Sequence, residues 1–172
     1  TPTKLSGGLV ETADFGRYTK VPHLLWMAVY VDTNSGKVTD KNDYTVFTLA
    51  GLGIDGNLYV LEIQRGKWTP SELLTQAETL WTKWQTLAPK VSGIRLQKMN
   101  IEDKQAGQGL IADLQKKKGI AVNPVQRGTN QNKYVRHCNS QPRIKSGQVF
   151  IPAIHDSNGD KIQYTEWYDG SR

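Results

Sequence analysis

A chain of 172 residues with 37% apolar residues, 22% charged residues and five tryptophans is long enough to build one domain around a core that needs no staples, and its composition excludes a disordered tail or a fibre. A single cysteine, Cys138, excludes an internal disulfide and a four-cysteine zinc site, and no apolar run approaches the roughly 20 residues of a membrane span. The net charge of +6 favours polyanionic partners.

The first twenty residues are polar and glycine-containing, and read as a lead-in. His23 to Val31 is almost continuously apolar between Pro22 and the turn Asn34-Ser35-Gly36. This predicts a central strand covered on both faces, with Asp32 at its end. Tyr44 to Leu52 is a second strand and Leu58 to Ile63 a third, joined by the hairpin turn Asp55-Gly56. Three neighbouring strands on short turns make an antiparallel meander. Thr69-Pro70-Ser71-Glu72 then supplies an N-cap, a proline at the first helical position and a glutamate at the third, the pattern of a capping box. Leu73, Leu74, Ala77, Leu80, Trp81, Trp84 and Leu87 recur at helical spacing and read as core packed on the sheet.

Val91 to Ile101 is expected to be a fourth strand, followed directly by Glu102 and Asp103. A second helix is expected from about Gln105 to Lys118, with Leu110, Ile111 and Leu114 inward and Gly119 as its stop. Ile120 to Pro124 reads as a fifth strand, Tyr134 to about Pro142 as a short third helix, and Gln148 to Ile151 as a last strand. The order β-β-β-α-β-α-β-α-β gives an α/β fold. Its mixed sheet has three antiparallel strands first, then strands that return through helices parallel to the first.

Chemistry in such a sheet sits beyond the carboxyl ends of the strands. Asp32 ends the first strand and Glu102 the fourth; if those strands are parallel neighbours, the two acids emerge side by side. Two close carboxylates are costly unless a proton or a cation separates them, and hard oxygen ligands suit Mg²⁺ or Mn²⁺. Plainer explanations stand beside this one: Asp32 opens a turn, and Glu102 sits ahead of a helix. Asp43 begins the second strand, and antiparallel pairing returns it toward Asp32; it is equally an Asp in a polar loop. Asp103 adjoins Glu102 but points the other way.

Gly107 and Gly109 weaken the first turn of their helix. Either a phosphodiester backbone or a neighbouring strand approaching closely would account for them. Lys133 and Arg136, at i and i+3, share a helical face and could meet phosphates or simply water. From Lys116 to Lys145 the basic residues run without an acid until Asp156. There is no Walker A motif, and His137 beside Cys138 lacks a second ligand pair for zinc.

Several stretches, in order, resemble the C-terminal nuclease domain of phage terminase large subunits. They are Asp32; Asn42-Asp43-Tyr44-Thr45-Val46; Asp55-Gly56-Asn57-Leu58-Tyr59-Val60-Leu61; Arg65-Gly66-Lys67-Trp68; Ile101-Glu102-Asp103-Lys104-Gln105-Ala106-Gly107-Gln108-Gly109-Leu110-Ile111; Gly119-Ile120-Ala121-Val122; Lys133 with Arg136; and Gly147-Gln148-Val149-Phe150-Ile151-Pro152. The resemblance runs from about residue 25 to residue 152. It implies a ribonuclease H-like fold and a metal-dependent DNA endonuclease that cuts concatemeric viral DNA during genome packaging in the host-cell cytoplasm.

Asp32 matches the family's first-strand metal ligand and Glu102 its fourth-strand acid, with Asp103 as the rival register and Asp43 as a nearby acid. Lys104, Gly107, Gly109, Lys133 and Arg136 fall where DNA is contacted. A two-metal site of Mg²⁺ or Mn²⁺ is implied, bridged by Asp32. The implied partners are double-stranded DNA, an ATPase motor domain, a small subunit and a portal protein, with no membrane. The expected organisation is a single nuclease domain over residues 1–172, without the motor and ending before a third acid that the family carries; His155-Asp156 lies too close to the last strand to be that acid. Two other roles stay open. One is a non-catalytic DNA-gripping module, resting on the late basic residues. The other is a ribonuclease H-like junction resolvase or integrase, which shares the acids but gives no reason for the match from Asp43 to Trp68.

Overall fold

The computed structural model describes residues 12–33, 44–104, 106–126 and 143–153. Within them the chain alternates strands with two long helices, besides a 3-10 turn at Thr12–Asp14 and a single helical turn at 143–145. The strands are β1 (Gly16–Tyr18), β2 (Leu24–Asp32), β3 (Thr45–Gly53), β4 (Leu58–Gly66), β5 (Met99–Glu102), β6 (Val122–Val125) and β7 (Val149–Pro152). The helices are α1 (Pro70–Ser92) and α2 (Ala106–Gln115). The strands form one sheet in the order β1-β7-β4-β3-β2-β5-β6. β3 is antiparallel to both β2 and β4, whereas β5 pairs parallel with β2, β6 with β5, β7 with β4 and β1 with β7. Among the described residues, β3 alone therefore runs against the rest. This is the expected mixed sheet, extended at one edge.

The local causes are those visible in the sequence. Thr69 caps α1: its hydroxyl accepts from the Glu72 N–H, and the Glu72 carboxylate accepts from the Thr69 N–H at 2.8 Å. Such a cap contributes about 1 kcal/mol. The inward stripe of α1, including Leu73, Ala77, Leu80, Trp81 and Trp84, is buried against Phe47, Leu49, Leu61 and Met99 of the sheet. α2 adds Leu110, Ile111 and Leu114 to the same core. Each large side chain removed from water in this way stabilises the fold by roughly 1.5–3 kcal/mol.

The structure differs from the sequence expectation in four places. Val91 and Ser92 finish α1 rather than open a strand. Gly93, at φ 72°, ends the helix and donates its N–H to the Pro89 carbonyl at 3.0 Å. The strand that follows is only four residues long, Met99–Glu102. α2 stops at Gln115, short of Gly119; that glycine (φ 100°) instead presents its carbonyl to the Trp81 indole N–H at 3.1 Å and so ties α1 to the chain beyond α2. The polar lead-in contains a strand, β1, which pairs with β7 and completes the edge. Finally, β2 is covered by helices on one face only among the described residues: Met27, Val29 and Val31 are buried under α1 and α2, while Trp26, Tyr30 and Asp32 on the other face border an open cleft. The third helix expected near Tyr134 to Pro142 lies outside the described residues.

Candidate active site

The cleft lies against the sheet face opposite the helices and holds about 500 Å³. Its floor comes from alternate residues of three adjacent strands: Ala28, Tyr30 and Asp32 of β2, Val46 and Thr48 of β3, and Asn100 and Glu102 of β5. Side chains two apart on a strand share a face, which is why one parity lines the core and the other the cleft.

The acid pair follows from register. β2 and β5 run parallel with Val29 opposite Met99, Tyr30 opposite Asn100 and Val31 opposite Ile101. The next residue of each strand is Asp32 and Glu102. Adjacent strands lie about 4.8 Å apart, and residues level with one another face the same way. Both acids line the cleft, Asp32 exposed and Glu102 half-buried. The rest of the wall is polar and aromatic. Asn123 donates to the Asn100 amide oxygen at 2.7 Å, and Asn100 donates to the Val29 carbonyl at 3.4 Å, which binds β6, β5 and β2 beneath the pair. The rings of Trp26 and Tyr30 are 6.5 Å apart, and burial pushes the Tyr30 phenol above its ordinary pKa, so it is neutral at physiological pH.

The other sequence candidates fall around this pair. Asp103 is not on the cleft wall: its carboxylate accepts from the Gln126 side chain, and its N–H donates to the Val125 carbonyl at 3.0 Å. Lys104 is exposed between β5 and α2. Gly107 is buried against the end of β5, where a Cβ would stand 2.1 Å from the Glu102 carbonyl oxygen and 3.3 Å from the Thr33 hydroxyl. Close packing of helix on strand thus accounts for that glycine. At Gly109 a Cβ would meet nothing within 4 Å. Asp43, Lys133 and Arg136 lie outside the described residues.

The donor set fits a hard divalent cation in kind: two carboxylates on neighbouring strands, facing one open cleft. Among the described residues no group of three or more His, Cys, Asp or Glu side chains stands ready to hold a metal ion. Sequence reasoning missed two features near the site. Arg65 of β4 lies level with Val46, which lies level with Asp32, so a cation shares the acids' row across the sheet. On the opposite face Glu62 is fully buried, accepting from Lys83 Nζ at 2.9 Å and from the Trp84 indole. Strict alternation along Leu58 to Gly66 could have flagged Glu62 as inward, but a bulge opposite Leu49 and Ala50 shifts the parity.

No protein-family model and no curated protein matches the sequence. Solved structures do match. The large terminase of a thermophilic bacteriophage is similar at TM-score 0.59 and 14% identity, over 84% of this chain and 33% of that one. The same phage protein in complex with ADP gives TM-score 0.58 at 14% identity, over 83% and 32%. The human cytomegalovirus terminase nuclease domain, from a Mn-soaked crystal, matches at TM-score 0.46 and 12% identity, over 88% and 74%. The chain spans about a third of the length of the phage large terminase. At such identity the likeness is one of fold, and the fold is the one that the sequence resemblance implied.

Proposed function

We propose that this chain is the nuclease domain of a viral DNA-packaging terminase large subunit, a metal-dependent endodeoxyribonuclease that cuts concatemeric double-stranded DNA during packaging. The observation that carries the reading is the adjacency of Asp32 and Glu102 at the carboxyl ends of two parallel neighbouring strands, in an open cleft of a sheet with the large-terminase fold.

The two carboxylates repel one another and gain from a shared cation. Bound there, Mg²⁺ or Mn²⁺ would lower the pKa of a water and neutralise charge on the leaving 3′ oxygen. The chain's own part is to hold the oxygens still. The Asn100–Asn123 pair and the β2–β5 ladder fix the backbone under both acids, and Gly107 lets α2 close against Glu102 without displacing it. Asp32 and Glu102 would hold the cation; Asp43, which precedes β3 in the sequence, would be a further acid for the site, and Asp103 the alternative ligand should its bond to Gln126 open. Lys104, Gly109, Lys133 and Arg136 meet the DNA backbone. An ATPase motor domain, a small subunit and a portal protein are the partners, and the host-cell cytoplasm is the compartment. No helix among the described residues is long and apolar enough to cross a membrane.

The test is nicking of supercoiled plasmid by the chain in Mn²⁺. Asp32→Asn and Glu102→Gln keep the shape and remove the charge, and each should lower cutting at least about a hundredfold, the scale of losing a group that stabilises the transition state. Parent-like cutting by both variants, with unchanged circular dichroism, would sink the assignment.

A further inference from the structure

Tyr44, just before β3, is 40% exposed, and two cations rest on its ring: the Arg65 guanidinium carbon is 5.1 Å and the Lys67 ammonium 4.9 Å from the centroid. Both contacts lie within cation–π range. Register places this group in line with the acids. Arg65 is level with Val46, and Val46 with Asp32, so Arg65 stands two strand spacings, about 10 Å, from Asp32 along the same sheet end. Residues level with one another on antiparallel strands project from the same face, so Arg65 leaves the sheet on the cleft side. Glu62, three residues back and beyond the intervening parity, faces the helices.

We propose that Tyr44, Arg65 and Lys67 form a backbone-phosphate clamp that seats a nucleic-acid strand across the sheet end and draws it over Asp32 and Glu102. A charge argument supports the clamp. The acid pair repels a phosphodiester, so a strand reaches it only when cations nearby offset the negative field. Arg65 brings a planar fork that can grip a phosphate with two hydrogen bonds, and the Tyr44 ring holds that fork in position before the ligand arrives. The clamp lies across β3 and β4, away from Lys104 and α2. A strand spanning both would cross the acids between them.

This inference rests on the nuclease reading for the identity of its ligand, and its test is kept apart from cutting. The probe is a labelled 30-base-pair duplex of mixed sequence, titrated with the full chain in EDTA over a range of salt. Arg65→Ala combined with Lys67→Ala should weaken binding by about tenfold or more at low salt and flatten the log–log salt dependence by about 1 to 2, the contribution of two phosphate contacts. Tyr44→Phe, which keeps the ring face, should bind as the parent does, and Tyr44→Ala should weaken binding. Lys20→Ala with Lys90→Ala removes the same charge from other exposed positions, and should cost under about threefold. Equal losses in the charge-matched control, an unchanged salt slope in the Arg65/Lys67 pair, or no duplex binding by the parent would each overturn the clamp. If the chain cuts nothing in Mn²⁺ while duplex binding depends on Arg65 and Lys67, the clamp stands and the nuclease reading falls. If it cuts and the pair variant binds as the parent does, the reverse holds.

Discussion

Gly107 and Gly109 are two residues apart on one short helix and make opposite demands. A methyl at 107 would have to occupy space 2.1 Å from the Glu102 carbonyl oxygen, whereas one at 109 meets nothing within 4 Å. Gly107→Ala should therefore destabilise the chain by about 1–3 kcal/mol through displaced backbone; Gly109→Ala should stabilise it by up to about 1 kcal/mol through helix propensity alone. Urea unfolding of both variants checks the pair, and equal effects would contradict it. A second residue-scale device is the turn between β3 and β4. The Tyr59 hydroxyl donates to the Asp55 carboxylate and the Asn57 N–H adds a bond at 3.0 Å; together these hold Asp55 below its ordinary pKa. A carboxylate lowered in the folded state contributes stability that is complete above the ordinary value and is lost as pH falls through the lowered one. Tyr59 is raised, first by burial and then by Asp55, so its share is complete below the ordinary phenol value and is lost as pH rises above it. Tyr59→Phe should flatten the acid limb of the stability profile below about pH 4, measured as melting temperature against pH. An acid limb as steep as the parent's would reject the Asp55–Tyr59 bond as its source.

At the scale of elements, α1 is joined to β4 by more than apolar contact. Glu62 is a fully buried carboxylate, held by the Trp84 indole from inside and by a Lys83 ammonium that water still reaches. Trp84→Phe leaves a cavity and removes a buried donor, so it should cost about 2–4 kcal/mol. Lys83→Met removes a screened partner and should cost about 1–2 kcal/mol. Urea midpoints that reverse this order would mean that the ion pair, not the indole, holds Glu62. The same elements explain what could be read beforehand. The cap at Thr69 and the stripe from Leu73 to Trp84 were legible because a helix signals its own start and period. The end of α1 was not: Val91 reads as strand, yet the helix runs past Pro89 to Ser92 and is closed only by Gly93, whose left-handed backbone returns its N–H to the Pro89 carbonyl. β1 was invisible because Gly16-Arg17-Tyr18 is too short for any period, and exists through its pairing with β7. Asp32 and Glu102 were legible as acids ending apolar runs. The Arg65 row was not, because it depends on a register fixed by the Asp55-Gly56 turn and by a bulge.

For the molecule as a whole, the sheet gathers opposite charges at one end, with acids on β2 and β5 and cations at the end of β4. On the proposed metal site, two carboxylates would hold a divalent ion weakly, and linkage grows only as the logarithm of ligand over dissociation constant. About 10 mM Mg²⁺ should accordingly raise the melting temperature by less than about 2 °C, a few tenths of a kcal/mol for a chain of this length. A larger rise, abolished by Asp43→Asn or Asp103→Asn, would identify a third ligand. The far edge of the sheet has a different consequence. β7 is inserted between β1 and β4, so Gly16 finds its neighbour only at Phe150. On the ribosome β1 emerges long before β7 and must wait, without its partner, until β7 is made. The cleft-bearing strands, closed by residue 125, owe nothing to that delay. Nascent chains should therefore acquire the cleft first and the β1–β7 seam last, and β1, a three-residue strand at the sheet's edge, should be the strand whose amide hydrogens exchange soonest in the finished protein.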